Sequence, residues 1–366
     1  MTDGEPFDAA WRALAYHGGD LGAAARLFPD APEPWIDLST GVNPHGYRLP
    51  RLSRDQWARL PAPDDLAALE AVAARRYGAR PESTIAAAGA QALIQALARL
   101  GPGRRRVGVL GFSYGGHAEA WRAAGARVET VATTGELAAF DVAIVVNPNN
   151  PDGRIVERAT LLALHRELAA CGGLLIVDEA FADLDPGGRS LAPVLPARGA
   201  IVLRSFGKIY GLAGLRLGFA LASADHAAPL RAALGAWPVS GPGLAIGRAA
   251  LADDAWLDRM GARLAREGAR MDRLLVESGF AILGGATLFR LAQRPDAGRI
   301  FAQLARQGIL ARPFEAFPDR LRFGLPSGPD AWRRLEAALR PGAAERLDSP
   351  AAGGQNGRRE SRARIG

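Results

Sequence analysis

Lys208 is the only lysine in a chain of 366 residues, in which lysine and arginine together number 45. Arginine replaces lysine wherever a solvated positive charge is needed. Its guanidinium stays protonated, however, whereas a lysine amine can lose its proton and attack a carbonyl carbon. The retention of one lysine, within "SFGKIYGLAGLRLG", therefore favours a chemical role for Lys208. Composition alone does not exclude that Lys208 is a surface lysine without any chemical role. The neighbouring motifs must decide between these two interpretations.

A phosphate-binding cup is indicated by segments that could lie around this lysine. In "AAAGAQALIQAL" a glycine turn opens directly into a helix, so that unpaired amide groups at Ala90 and Gln91 and the positive end of the helix dipole could face an anion. Ser205 and Arg216 flank Lys208 in the chain, and each could donate to the same phosphate. A glycine before a helix is common, so the first segment alone is a weak signal.

Three further side chains have the types that would hold a pyridine ring. Asp178 ends the apolar run of "LLIVDEAF", where an isolated carboxylate is costly unless it meets a metal or a cation such as a protonated pyridine nitrogen. Asn150 in "VVNPNNPDG" could donate to a ring oxygen, and Tyr114 in "GFSYGG" could stack on the ring. Singly, these residues could be a helix cap, a turn residue and a core residue. Together with the lysine and the phosphate cup they predict pyridoxal 5'-phosphate, bound as a Schiff base, and no metal.

The elements that must position these residues are indicated by short apolar runs that alternate with helical segments. The runs are "RRVGVLG", "ARVETVA", "DVAIVVNP", "GLLIVDEA", "AIVLRSF" and "RLGFAL". Several are nearly continuous Val, Ile and Leu, which is typical of strands inside a mostly parallel sheet that carries helices on both faces and binds its ligand beyond the carboxyl ends of the strands. A long helical pattern over 244–278, followed by two apolar segments with a helix between them, predicts a second, smaller α+β domain.

We predict four parts along the chain from these changes of pattern. They are an N-terminal arm at 1–47 that joins the small domain, a large cofactor-binding domain at 48–240, a C-terminal small domain at 241–343, and a disordered basic tail at 344–366.

Composition and charge narrow the class of protein. A hydrophobic fraction of 48% and a charged fraction of 23% are ordinary for a globular protein, and the absence of a membrane-length apolar run or a leader predicts a cytoplasmic protein with no membrane partner. The net charge of +7 raises the question of nucleic acid, but the last 15 residues hold four arginines and one glutamate, and no nucleic-acid motif is evident before them. Cys171 is the only cysteine, which excludes an intrachain disulfide, and we expect it to be buried.

A resemblance to a known family is carried by three motifs in order, "NPNNPDG", "DEAF" and "SFGKIYGLAGLRLG". They resemble the fold-type I pyridoxal-phosphate enzymes, in the branch that contains histidinol-phosphate aminotransferases, over about 60–325. The opening "HGGDLGAAARLF" and "IDLSTGVNPHG" are similar to the cobalamin-pathway L-threonine-O-3-phosphate decarboxylases. The resemblance implies an α/β fold with a mostly parallel seven-stranded sheet in the large domain and a smaller α+β domain.

The resemblance also implies a role for each matching residue. For the cofactor, the positions are Lys208 for the Schiff base, Asp178 for the pyridine nitrogen, Asn150 for the ring hydroxyl oxygen, Tyr114 for the stacking face, and Ala90, Gln91, Ser205 and Arg216 for the phosphate. For the substrate, they are Arg322 for the carboxylate, Arg312 as a second anion ligand, His17 with Gly18 and Gly19 as a turn that binds the substrate phosphate, and Asn43 nearby. The arginines could instead be surface charges, and the glycine turn could be an ordinary one.

Two departures from the family pattern bear on function. Leu60 stands in "LPAP" where this branch often has a tyrosine that reaches the neighbouring subunit's cofactor phosphate, and Phe181 stands where aminotransferases usually have a tyrosine that donates to the ring oxygen. The resemblance implies a homodimer that decarboxylates L-threonine O-3-phosphate to (R)-1-amino-2-propanol O-2-phosphate in cobalamin biosynthesis. The alternatives are an aminotransferase acting on histidinol phosphate or a similar donor and, more remotely, a regulatory nucleic-acid-binding protein.

Overall fold

The computed structural model describes residue 14 and residues 18–101, 105–184 and 187–340. Its largest element is a seven-stranded sheet of order β2-β8-β7-β6-β5-β3-β4, in which β8 runs antiparallel to both neighbours and the other pairs are parallel. The strands are β2 (Thr84–Ala87), β3 (Arg106–Leu110), β4 (Arg127–Val131), β5 (Val142–Val146), β6 (Leu174–Asp178), β7 (Ala200–Ser205) and β8 (Gly218–Ala222). The predicted fold class is confirmed, and each of the six apolar runs forms a strand.

The central strands are buried along their whole length, which explains their continuous apolar sequence. Every residue of β5 and β6 is buried, and the register pairs Val146 with Asp178 and Asp178 with Leu203. Because parallel strands end at one edge of a sheet, Asp178, the loop after β5 and Ser205 at the end of β7 meet at the carboxyl edge.

Helices cover both faces of this sheet over two apolar cores. One core contains Leu93, Leu97 and Trp121, and the other contains Leu161 and Leu168. The helices are α3 (Pro63–Tyr77), α4 (Ala90–Leu100), α5 (Gly115–Ala123), α6 (Arg158–Ala170), α7 (Phe206–Ile209) and α8 (Ala224–Leu234). Short 3-10 helices lie at Pro81–Ser83, Glu136–Ala139, Ala192–Val194 and Ala213–Leu215.

A smaller antiparallel sheet follows in the chain, with strand order β12-β13-β10-β9. Its strands are β9 (Ala281–Ala286), β10 (Phe289–Gln293), β12 (Arg312–Pro313) and β13 (Arg320–Gly324), and its helices are α11 (Ala297–Arg306) and α12 (Gly328–Leu339). The prediction of one helix over 244–278 is wrong, because α9 (Gly241–Leu251) and α10 (Asp254–Glu277) are separate. Asp253 caps α10 by accepting from the amide of Trp256 at 2.9 Å, which starts a new helix at this point.

The N-terminal arm connects the two sheets. It contains α1 (Leu21–Leu27), the strand β1 (Ile36–Asp37), which pairs in parallel with β11 (Ile309–Leu310), and α2 (Arg54–Ala58). Beyond β1, the amide of Gly324 donates to the carbonyl of Leu38 at 2.7 Å, and the amide of Asn43 donates to the carbonyl of Lys208 at 2.9 Å. The arm therefore runs from β13 of the small sheet to the helix that carries Lys208.

The remaining sequence-based expectations concern the cysteine, the domain boundary, the tail and membrane-spanning helices. Cys171 is exposed at the end of α6, so the expectation of a buried cysteine is wrong; a helix ends there and a turn begins. The predicted boundary between the large and the small domain at residue 240 stays a prediction. Just beyond this boundary, α9 packs closely on α3, since an added Cβ at Gly247 would lie 3.0 Å from Leu69. The predicted tail at 344–366 lies outside the described residues. Among the residues that are described, no helix has the length and apolar content needed to cross a membrane.

Candidate active site

Lys208 lies on α7, the four-residue helix that follows β7 at the carboxyl edge of the large sheet. Its Nζ lies 5.4 Å from the ring centroid of Phe181. Burial and, to a smaller extent, the nearby guanidinium of Arg322 together lower the pKa of the amine to about 8, against the opposing charge of Asp178. A large fraction of the amine is therefore neutral near pH 8, as attack on a carbonyl carbon requires.

Asp178 is buried and held through both carboxylate oxygens. His117 Nε2 donates to Oδ2 at 2.8 Å, and the amide of Ala180 donates to Oδ1 at 3.0 Å. The sequence reasoning missed His117, which is itself buried on α5. Its position three residues after Tyr114 is a signal that could have found it, because that spacing brings the two rings into an edge-to-face contact, with centroids 6.1 Å apart.

Tyr114 contacts a residue that was predicted for a different role. Its hydroxyl donates to Oε1 of Gln91 at 2.9 Å, and Gln91 lies in the first turn of α4. The predicted stacking residue and the predicted phosphate-binding turn are thus in direct contact.

The predicted phosphate residues come together around the start of α4. Gly89 precedes the helix with φ of 87°, and an added Cβ there would lie 2.9 Å from the guanidinium of Arg216. Gly218, which pairs with Ser205 between β7 and β8, comes so close that an added Cβ would lie 2.5 Å from the amide nitrogen of Ala90. The helix N-terminus and a guanidinium therefore border one cradle that only glycine backbones leave open, next to the end of β7 that carries Ser205.

Arg322 and Arg312 form a cationic pair on the substrate side. They are register partners between β13 and β12, and Arg322 is only 3% exposed. Burial lowers the pKa of Arg322, and the charge of Arg312 acts in the same direction, against Asp37. Nε of Arg322 is buried without a hydrogen-bond partner in the described part of the chain. Because a buried positive charge is costly, the guanidinium of Arg322 is suited to an anionic partner.

Asn150 and Arg322 are bonded to each other. Nη1 of Arg322 donates to Oδ1 of Asn150 at 2.5 Å, and Nη2 donates to the carbonyl of Ser39 at 2.6 Å. The bond engages the amide oxygen of Asn150, so its NH2 group is the part that can donate to a ring oxygen. Asn150 therefore joins the predicted ring site to the predicted carboxylate site.

Asn43 is buried against the segment that carries Lys208. Its Nδ2 donates to the carbonyl of Ile209 at 2.7 Å, and its Oδ1 accepts from the amide of His45 at 2.9 Å. Its side-chain oxygen and nitrogen thus both bond to backbone, so Asn43 supports α7, and its predicted place near the substrate stays a prediction.

The glycine turn of the arm is described only from Gly18 onward, and His17 lies outside the described residues. The amide of Gly19 donates to Oγ of Ser39 at 2.7 Å, so this amide is engaged within the protein.

The two residues that depart from the family pattern lie in different surroundings. Phe181 is buried with its ring 5.0 Å from that of Phe289, and Leu60 is 69% exposed.

The chain is similar to known proteins in both its sequence and its fold. The chain is 45% identical to the threonine-phosphate decarboxylase of Pseudomonas aeruginosa over 88% of its own length and 96% of the relative, and 41% identical to that of Sinorhizobium sp over 88% and 97%. The histidinol-phosphate aminotransferase of Sinorhizobium meliloti, solved in complex with pyridoxal-5'-phosphate, shares the fold with a TM-score of 0.77 at 24% identity, over 95% of this chain and 99% of that one. The family profile described as aminotransferase class I and II matches residues 33–335. The chain therefore belongs to the aminotransferase class I and II family.

Proposed function

We propose that this protein is a pyridoxal-phosphate-dependent decarboxylase of L-threonine O-3-phosphate that forms (R)-1-amino-2-propanol O-2-phosphate for cobalamin biosynthesis. The observation that carries the proposal is the buried Arg322, with the half-buried Arg312 as its register partner, beside Lys208 in a chain that is 45% identical to a threonine-phosphate decarboxylase. A substrate with two anionic groups matches a site in which several cations lie near one amine.

The residues present fit the cofactor. The cradle formed by Gly89 and Gly218 at the start of α4 would be filled by a Cβ at either position, and the buried carboxylate of Asp178 matches a ring cation. We assign the cofactor phosphate to the turn at 90–91 with Ser205 and Arg216, the pyridine nitrogen to Asp178, the ring oxygen to Asn150 and the ring face to Tyr114. When bound, the cofactor supplies an electron sink for the bond that breaks at the substrate Cα.

Lys208 is the residue to which we assign the chemistry. Its lowered pKa gives a neutral amine for covalent attachment near pH 8, and the same nitrogen, once protonated, can deliver the proton that replaces the carboxyl group. His117 holds the carboxylate of Asp178 in one orientation at 2.8 Å. Since Phe181 has no hydroxyl, it offers the site an apolar wall where a tyrosine would donate a hydrogen bond.

Anchoring at two ends is what selects decarboxylation in this proposal. We assign Arg322 and Arg312 to the substrate's anionic groups, with the turn at 17–18 on the phosphate. A substrate held at both ends would have the bonds at its Cα fixed in one orientation, and that orientation would decide which of them breaks.

The proposal includes a homodimer and a cytoplasmic location. Large apolar side chains are exposed on one protomer; they include Leu49, Trp57, Leu60 and Trp237. Such residues would be covered in an assembly. The single cysteine suits a reducing compartment.

An aminotransferase is the second candidate, because the solved aminotransferase shares the fold. The two are separated by incubating purified protein and cofactor with L-threonine O-3-phosphate in the absence of a keto acid. We expect carbon dioxide to be released over many turnovers. Turnover that requires 2-oxoglutarate, with histidinol phosphate as the better donor, would overturn the decarboxylase proposal. Retention on DNA that falls with salt would instead indicate the regulatory alternative.

A further inference from the structure

Ser39 lies where the N-terminal arm crosses the substrate side of the site. The residue is 1% exposed and is the second residue after β1. Its carbonyl accepts from Nη2 of Arg322 at 2.6 Å, while its hydroxyl accepts from the amide of Gly19 at 2.7 Å and donates to Oδ1 of Asp37 at 2.6 Å. One buried residue therefore contacts both Arg322 and the glycine turn.

Gly18 packs on the same carbonyl. An added Cβ at Gly18 would lie 2.4 Å from the oxygen of Ser39, which is the oxygen that accepts from Arg322. A side chain at this position would have to displace that oxygen. The glycine turn and the guanidinium thus both border this one oxygen, so a shift of one disturbs the other.

Asp37 fixes the orientation of Ser39. Its Oδ1 also accepts from the backbone amide of Ser39 at 2.8 Å, and its Oδ2 accepts from the hydroxyl of Thr40 at 3.1 Å. The backbone just before Ser39 is tied down as well, since the amide of Leu38 donates to the carbonyl of Leu310 in β11 at 2.8 Å and its carbonyl accepts from the amide of Gly324 in β13 at 2.7 Å. The hydroxyl of Ser39 consequently stands in one place, where it can hold Gly19.

We infer that Ser39 is a positioning residue that holds Arg322 and the glycine turn of the arm in one fixed arrangement toward the substrate's anionic groups. The inference rests on the proposed function, because it concerns a substrate that carries a phosphate as well as a carboxylate. Ser39 touches neither group itself: its carbonyl orients the guanidinium and its hydroxyl orients the turn.

Ser39→Ala tests this directly, because it removes the hydroxyl and keeps the carbonyl. We expect the ratio of kcat/KM for L-threonine O-3-phosphate to kcat/KM for L-threonine to fall about tenfold, as for the loss of a hydrogen bond that involves a charged group. Thr40→Val is the matched control: it removes a hydroxyl from the same carboxylate of Asp37 but keeps the methyl group that faces Gly19. We expect this control to leave the ratio within about twofold of wild type.

Hydrogen exchange in the protein without substrate gives a second readout. The amide of Gly19 should exchange about tenfold faster in Ser39→Ala than in wild type, and at the wild-type rate in Thr40→Val. Equal ratios and equal exchange in the two variants would overturn the inference. If wild type releases no carbon dioxide from L-threonine O-3-phosphate, the proposed function is wrong, and the exchange comparison still decides the role of Ser39.

A second pair of variants approaches the same oxygen from the turn. Gly18→Ala should also lower the substrate ratio, because the new methyl group must displace the carbonyl of Ser39. Gly22→Ala, on α1 of the same arm, has its nearest neighbour at 3.5 Å and should leave the ratio unchanged. A wild-type ratio in Gly18→Ala would contradict the coupling, whether or not Ser39→Ala folds.

Discussion

Replacing Lys208 by methionine should stabilise the cofactor-free protein, and this gain should disappear as the pH rises. Burial, with Arg322, lowers the pKa of Lys208 from 10.5 to about 8. A difference of about two and a half pH units corresponds to about 3 kcal/mol by which the folded state disfavours the charged amine. Methionine has a similar length and carries no charge, so it avoids that cost.

The sign of the pH dependence follows from the two pKa values. Because the folded value is the lower one, the unfolded chain binds more protons at this residue between about pH 8 and pH 10.5. Below pH 8 the amine of the wild type is charged in both states, and the folded protein is destabilised by the full amount. As the pH rises towards 10.5, the free energy of unfolding of the wild type increases by that same amount. The advantage of Lys208→Met should therefore be about 3 kcal/mol larger at pH 7 than above pH 10.5.

Urea unfolding followed by the fluorescence of the seven tryptophans measures this difference at each pH. Titrating groups that do not interact with Lys208 are common to both proteins and cancel in the comparison. Lys208→Arg is the matched control, because its guanidinium stays charged and its difference from Lys208→Met should not close by pH 10.5. A difference between wild type and Lys208→Met that is constant from pH 7 to pH 10.5 would refute the reasoning about the buried amine.

Three further predictions concern the cofactor. Gly218→Ala should weaken its binding at least about tenfold, because the new methyl group meets the first turn of α4, whereas Gly214→Ala has open space and should bind as wild type does; equal affinities by absorbance titration would contradict the cradle. His117→Ala leaves one oxygen of Asp178 without its donor and should change the cofactor spectrum and lower kcat about tenfold or more, so unchanged values would remove its positioning role. Borohydride should attach the cofactor to Lys208 in wild type and to no residue in Lys208→Arg, as peptide mapping would show.

Much of the fold was predictable because the buried strands carry their pattern locally. Runs such as Val142–Val146 and Leu174–Asp178 are continuous because both faces are covered, and the polar residues after them mark the carboxyl edge. The strand Thr84–Ala87 was not singled out, since "TIAA" is short and only partly β-branched. The break between α9 and α10 was also missed, because one capping aspartate interrupts an otherwise continuous helical pattern.

The chemical types in the site were readable from the chain, but its partnerships were not. The chemical capacity of a lone lysine, an acid after a buried run or a glycine before a helix can be recognised from the local sequence. It does not depend on residues far away in the chain. The contact of His117 with Asp178 joins residues 61 positions apart, and that of Ser39 with Arg322 joins residues 283 apart. Such pairs depend on strand order and on the path of the arm, which local pattern leaves unspecified.

The amino-acid order thus determines which groups this protein brings to its chemistry, since residue type sets acidity, charge and hydrogen-bonding capacity at any position. The tertiary structure decides the pKa values of those groups and which of them lie in contact. Burial beside Arg322 is what lowers the pKa of Lys208 to about 8, and the register of β12 with β13 is what sets Arg312 beside Arg322. The amide of Gly19, readable in sequence as an anion donor, bonds instead to Ser39. Desolvation and charge proximity depend on distances through space, and these exist only once the sheets and the arm have packed together.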